Sequence, residues 1–154
     1  MSTPELACGV CKVHSNIEGI HKYEICRNQL WVLRHHPNPA PKVGWLLLDS
    51  LRHFGGPVDF QPEEAFAWGQ ALQNASKLVK ELTQCNRVYS ISFGEGARHL
   101  HLHLIPHYNS DSENKAWQVA DLYRNISDGE KVPGNPEEIE SLVRQAKLLN
   151  FTFN

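Results

Sequence analysis

Three histidines alternate with leucines in His99-Leu100-His101-Leu102-His103-Leu104-Ile105-Pro106, and no other stretch of the chain concentrates as much reactive chemistry. Imidazole can act near neutral pH as nucleophile, proton carrier or metal ligand. In an extended strand successive side chains point to opposite faces. His99, His101 and His103 are therefore expected on one face, about 6.6 Å apart, with the leucines anchoring the other. A second group with ligand chemistry is Cys8-Gly9-Val10-Cys11, whose two-residue gap suits a pair of thiolates gripping one metal ion. Tetrahedral zinc needs two further ligands. The histidines that neighbouring strands bring within reach are His53, just past a buried strand, and His99. On spacing alone, unligated or redox-active cysteines remain an equal alternative. A thioredoxin-like motif would need a βαβ unit, and none follows; a two-Cys, two-His finger would need a closely spaced histidine pair at its own distance. Gly94-Glu95-Gly96 precedes the triad as a tight turn whose N–H groups, with Arg98, could meet an anion. His14, His21, His35 and His36 read as exposed loop or strand residues.

The elements that must position these residues follow from hydrophobic patterning. His21 to Cys26 and Leu30 to Arg34 read as an antiparallel hairpin turning at Arg27-Asn28-Gln29. The proline-rich stretch 36–41 is a stiff connection into a buried strand from Gly44 to Asp49. From Pro62 to about Gln84 the apolar period is helical, with Pro62 in the first turn and Glu63 and Glu64 at the positive helix end. Val88 to Phe93 and Leu100 to Pro106 form a second strand pair. Val119, Leu122 and Ile126 mark a helix closed by Gly129. Asn135 caps a last helix that opens with Pro136 and carries Glu138 where a capping box wants it. The order β-β-β-α-β-β-α-α, with short links between consecutive strands, predicts an α+β fold: an antiparallel five-stranded sheet, one long helix and C-terminal helices.

The whole chain sets outer bounds on function. Its 154 residues suit a single domain, with a motif-bearing core at about residues 8–107 and a helical extension at about 112–150. A formal net charge of -2 gives no electrostatic footprint for nucleic acid. The longest apolar run, Gly44 to Leu48, is too short to span a bilayer, and the first residues carry no secretory pattern. A cytoplasmic protein is expected. In a reducing compartment the four cysteines should not form disulfides, and Cys26 and Cys85 read as small, inert residues.

The triad and its surroundings resemble the histidine triad superfamily of nucleotidyl hydrolases and transferases. The run from His99 to Pro106 matches that family's alternation of histidine and apolar residues. Cys8-Gly9-Val10-Cys11 is similar to the zinc-binding turn of its zinc-bearing branch, and Gly44 to His53 to its third strand and basic-His ending. The resemblance covers about residues 8–107. It implies that His101 is the nucleophile, forming a nucleotidyl-histidine intermediate, and that His103 helps hold phosphoryl oxygens. It also implies a structural zinc at Cys8, Cys11, His53 and His99, a homodimer, and a nucleotide-like substrate cleaved at a phosphoanhydride or phosphoramidate bond. The chain departs from the family pattern around the sugar and base. Residues 30–41 hold no carboxylate to grip a ribose, and Trp45 stands where a histidine is common. His107 stands where an arginine is frequent. Trp45 is then expected to stack on a base, with Gly94, Gly96, Arg98 and His107 as further substrate contacts. Three alternatives to a hydrolase stay open: a nucleotidyltransferase, a zinc-stabilised nucleotide binder without turnover, and a catalytic metal held by the triad itself.

Overall fold

The computed structural model describes residues 7–16, 22–94, 96–112 and 115–154. Its elements are helix α1 (Gly9–Ser15), strands β1 (Glu24–Arg27), β2 (Trp31–His35) and β3 (Leu46–Ser50), helix α2 (Pro62–Thr83), strands β4 (Arg87–Ile91) and β5 (His101–His107), then helices α3 (Ala116–Ser127) and α4 (Pro136–Leu148). The strands make one sheet in the order β1-β2-β3-β5-β4, antiparallel at every pairing. The α+β architecture is the one expected. The helix over Cys8–Cys11 replaces a simple turn, and the start of the first expected strand, at His21, lies outside the described residues. Among the described residues no helix is long and apolar enough to cross a membrane.

Local chemistry explains the main boundaries. Asn28 turns the first hairpin by accepting with Oδ1 from the N–H groups of Leu30 and Trp31, at 2.8 and 2.7 Å, an Asx turn. α2 opens with Pro62 after a reciprocal cap between Gln61 and Glu64 and closes on Gln84 in the left-handed conformation, as the helical pattern required. Asn135 caps α4 by accepting from the N–H groups of Glu137 and Glu138. Gly44, at φ +86, sits where a Cβ would collide with Thr83, so the chain can enter β3 there only without a side chain.

The period of two divides the sheet into unlike faces. On one, Trp31, Leu33, Leu46, Leu48, Leu102 and Leu104 pack against Ala71, Ala75, Leu78 and Val79 of α2 and Leu142 and Ala146 of α4. Each fully buried leucine there contributes about 2 kcal/mol of apolar burial. The register pairs Leu47 with His103 and Asp49 with His101, so these four share the opposite face. That second face carries a smaller cluster of Trp45, Leu47, Ile105 and Val119. The first face makes the core, and the second is left for chemistry.

Candidate functional site

β5 begins at His101, so His99 lies just before the strand rather than within it. The backbone bends at Arg98 and His99, which releases the His99 ring from the face of its partners and turns it toward α1. There it meets Cys8 Sγ at 3.6 Å and Cys11 Sγ at 3.4 Å through Nδ1. His53 Nδ1 lies 3.4 Å from Cys11 Sγ. The four ligand atoms of Cys8, Cys11, His53 and His99 all fall within 4.8 Å of one another. A tetrahedral zinc with ordinary Zn–S and Zn–N bonds sets its sulfur and nitrogen ligands about 3.6 Å apart, so the spacing fits one ion at the centre.

The surrounding contacts hold these donors ready. His99 Nε2 donates to the Ser50 carbonyl at 2.7 Å, which leaves the Nδ1 lone pair pointing into the cluster. Burial lowers the His99 pKa to about 4, keeping the ring neutral, as a ligand must be. Cys8 is the N-cap of α1, its sulfur accepting the Cys11 N–H at 3.5 Å. The loop bearing His53 is pinned by Arg52, which grips the buried Glu64 side-on at 3.0 and 2.7 Å and lies 4.2 Å over the Phe54 ring. The sequence named these four residues, the cysteines by their spacing and the histidines by strand ends and resemblance, and the fold brings them together.

His101 and His103 differ sharply although they are two residues apart. His101 is half-buried and donates from Nδ1 to the His99 carbonyl at 2.6 Å. This fixes the tautomer and leaves Nε2 with a free lone pair. His103 is fully buried. Its Nδ1 accepts the indole N–H of Trp45 at 2.9 Å, so its proton sits on Nε2, a buried atom with no partner among the described residues. Burial and the nearby His101, His36 and Arg34 push the His103 pKa down to about 3. His103 is thus a neutral donor.

Beside His101 lies a polar cluster that sequence reasoning missed. Asp49, opposite His101 in the sheet, is fully buried. It accepts from Arg34 Nε at 2.6 Å and from His14 Nε2 at 2.8 Å. Burial favours the protonated acid, yet Arg34 and His14 hold the Asp49 pKa down at about 2. His14 also packs edge-on against His99, with ring centroids 5.4 Å apart, so the cluster ties α1 to the sheet. The alternation along β2 and β3 puts Arg34 and Asp49 on one face, and that was the available signal. His14 had none.

Several expected contacts are placed differently. Trp45 is fully buried, donates to His103 and stacks on Tyr123, so in this arrangement it presents no open face to a base. His35 is likewise buried, donating from Nδ1 to the His36 carbonyl at 2.8 Å and accepting the Gly44 N–H on Nε2 at 2.9 Å. Burial lowers the pKa of both His35 and His36 to about 4, and His36 lies 6.3 Å from His103 between ring centroids. The readings of His14, His35 and His36 as exposed are corrected accordingly. His21 and Glu95 fall outside the described residues. Gly94 and Gly96 are exposed in a loop between β4 and β5 that is longer than a tight turn, and Arg98 is exposed on it. His107, half-buried, lies at the far end of β5 against Tyr89, at 4.9 Å.

Solved structures share this fold. A HIT-like protein involved in cell-cycle regulation from Bartonella henselae superposes with a TM-score of 0.68 at 15% identity, over 95% of this chain and 98% of that one. A zinc-bound histidine triad family protein from Mycobacterium smegmatis gives 0.64 at 17% identity, over 94% and 96%. A hypothetical histidine triad nucleotide-binding protein from Sulfolobus tokodaii gives 0.56 at 17%, over 91% and 97%. The chain has the histidine triad fold. No protein-family profile matches its sequence, and no curated protein matches it in sequence either.

Proposed function

We propose that this is a zinc-containing histidine triad enzyme, a nucleotide phosphohydrolase acting on phosphoanhydride or phosphoramidate bonds through a nucleotidyl-histidine. The observation that carries the reading is the His101 ring, the one triad ring not buried, with Nδ1 tied to the His99 carbonyl at 2.6 Å. An imidazole held in this way presents Nε2 as a nucleophile without needing a base. In the first step Nε2 attacks the α-phosphorus, a P–N bond to His101 forms, and the bond to the leaving group breaks with its electron pair. Water then attacks the same phosphorus and the P–N bond breaks with its electron pair returning to Nε2; the nucleoside monophosphate leaves, the ring is neutral again, and the proton the water gives up to solvent balances the one the leaving group takes from it. His103 would donate from Nε2 to a phosphoryl oxygen.

Cys8, Cys11, His53 and His99 would hold the zinc, which supplies structure at the strand end. The donor set supports that role: two thiolates balance the charge, and four protein ligands leave no position for substrate. The same reading takes the protein as a cytoplasmic homodimer. Gly94, Gly96, Arg98 and His107 are retained as candidate substrate contacts.

The test is covalent trapping with α-labelled diadenosine tetraphosphate and adenosine phosphoramidate. Wild-type protein should give an adduct that mass spectrometry maps to His101. The His101→Ala variant should keep its metal and fold, bind AMP, and lose turnover by about a thousandfold or more. An adduct on His103, or wild-type turnover in His101→Ala, overturns the mechanism. Added inorganic phosphate or a sugar phosphate that captures the nucleotidyl group identifies a transferase instead.

A further inference from the structure

The triad face is covered by a part of the chain that the proposed chemistry does not use. Tyr123 of α3 lies parallel to Phe93, with an interplanar angle of 4° and centroids 5.2 Å apart, and stacks on Trp45 at 24° and 5.9 Å. The His103 ring meets Tyr123 edge-on at 5.2 Å and Phe93 edge-on at 4.8 Å. Val119, one turn earlier on α3, is buried in the same cluster as Trp45. These rings enclose His103, whose Nε2–H has no acceptor among the described residues. A buried donor left unpaired costs about 1–3 kcal/mol. An acceptor brought by a ligand would recover that energy, but only if the enclosure opens.

The attachment of α3 allows opening. The backbone hydrogen bonds at its ends close within the segment: Val119 N–H on Lys115, Asp128 N–H on Arg124 and Glu130 N–H on Asn125. The chain is fastened just before and just after α3, and both fastenings reach the same short stretch. Upstream, Lys42 pairs with Asp111 at 2.6 Å; downstream, the Gly134 N–H donates to the Ala40 carbonyl at 2.8 Å. At Gly134 a Cβ would lie 3.0 Å from the Val43 nitrogen, so the two segments approach closely at the downstream fastening. An excursion that leaves and returns at neighbouring points can swing about the line joining them without disturbing the sheet or α4.

We propose that α3 is a hinged cover over the triad, and that a nucleotide engaging His101 and His103 does so with α3 swung outward and Tyr123 withdrawn from Phe93 and Trp45. This rests on the nucleotide reading above and adds a regulation to it. The covered form binds no nucleotide at His103, so apparent affinity is scaled by the fraction of molecules in the open form. Anything that weakens the seat of Tyr123 raises that fraction.

Two measurements test the cover, with AMP as probe. In wild-type protein, saturating AMP should speed amide hydrogen exchange across 116–127 while leaving 136–148 unchanged. By calorimetry, Tyr123→Ala and Val119→Ala should each bind AMP at least about fivefold more tightly than wild type, because each loosens the cover from a different anchor. Binding of AMP with unchanged or slower exchange in 116–127, or with unaltered or weaker affinity in both variants, overturns the cover while the nucleotide reading stands. Absence of AMP binding in all three proteins, together with no adduct on His101, overturns both. The exchange experiment uses wild-type protein, so the inference stays open to refutation even if a variant fails to fold.

Discussion

The two ends of the triad are built on opposite principles. At the His99 end each potential ligand is held by a polar partner or a helix cap: His99 by the Ser50 carbonyl, Cys8 by the Cys11 N–H, and the His53 loop by Arg52 on Glu64. At the His103 end aromatic rings enclose a donor that no described residue satisfies. His101 sits between them, exposed enough to react and oriented by the His99 carbonyl. On the proposed function, a strand fixed at a metal end tolerates a coverable end two residues further on, and the difference would separate what the protein needs to be folded from what it needs to bind.

The largest expected effect breaks the metal end. Cys11→Ser should reduce zinc from about one equivalent per chain to a trace by elemental analysis, and thermal unfolding should fall by tens of degrees or disappear as a cooperative transition. Apparent zinc binding energies of about 10–16 kcal/mol in small zinc domains are as large as the entire stability of an ordinary domain. Full metal retention in the variant, or zinc found on His101 and His103, would show that the two ends have been assigned the wrong way round.

Next in size is the link between the ends, the Arg34–Asp49–His14 cluster. Asp49→Ala leaves the Arg34 guanidinium buried and unpaired, and removing one partner of a buried pair costs about 3–5 kcal/mol. Urea denaturation should show a loss of that order with zinc retained. A change below about 1 kcal/mol would mean that Asp49 contributes little to holding α1 on the sheet. This cluster also shows where sequence reading stops. The helix over Pro62–Thr83, the strand alternation and the capped last helix were legible because each is fixed by local pattern. The cysteine pair was legible because thiols at that spacing are chemically distinctive. His14 lies 35 residues from Asp49, and nothing local distinguishes it from a solvated histidine. Trp45 misled for a related reason: an indole reads as a stacking surface, and only the register that sets it beside His103 makes it a buried donor.

The His103 end should respond to acid more than the fold around it. His35 and His36 have folded pKa values lowered to about 4 by burial, and His103 is lowered to about 3. The unfolded chain therefore takes up protons on these rings from about pH 6.5 downward while the folded chain does not. Stability conferred by neutral burial is present above pH 6.5 and declines as pH falls toward the folded values. Asp49 acts lower, its contribution being lost as pH falls from about 4 to about 2. Urea midpoints between pH 7 and 5 should fall with acid, and His35→Gln should flatten that slope. An unchanged slope in His35→Gln would show that the buried ring carries no linkage.

The smallest effect concerns the sugar. A carboxylate that grips ribose hydroxyls must be free to accept from them, yet Asp49, the acid beside His101, is fully buried and already accepts from Arg34 and His14. Residues 30–41 contain no acid at all. Selectivity should then rest on the phosphate chain and on contacts around His101, and little on the sugar. Ribose and deoxyribose forms of one substrate should differ in kcat/KM by less than about tenfold, or about 1.4 kcal/mol. A preference of a hundredfold for ribose would require a free acceptor near the 2′ position. The candidate would then be Asp49 released from Arg34, and the Arg34–Asp49 pair would have to be reassigned from holding the two ends together to binding substrate.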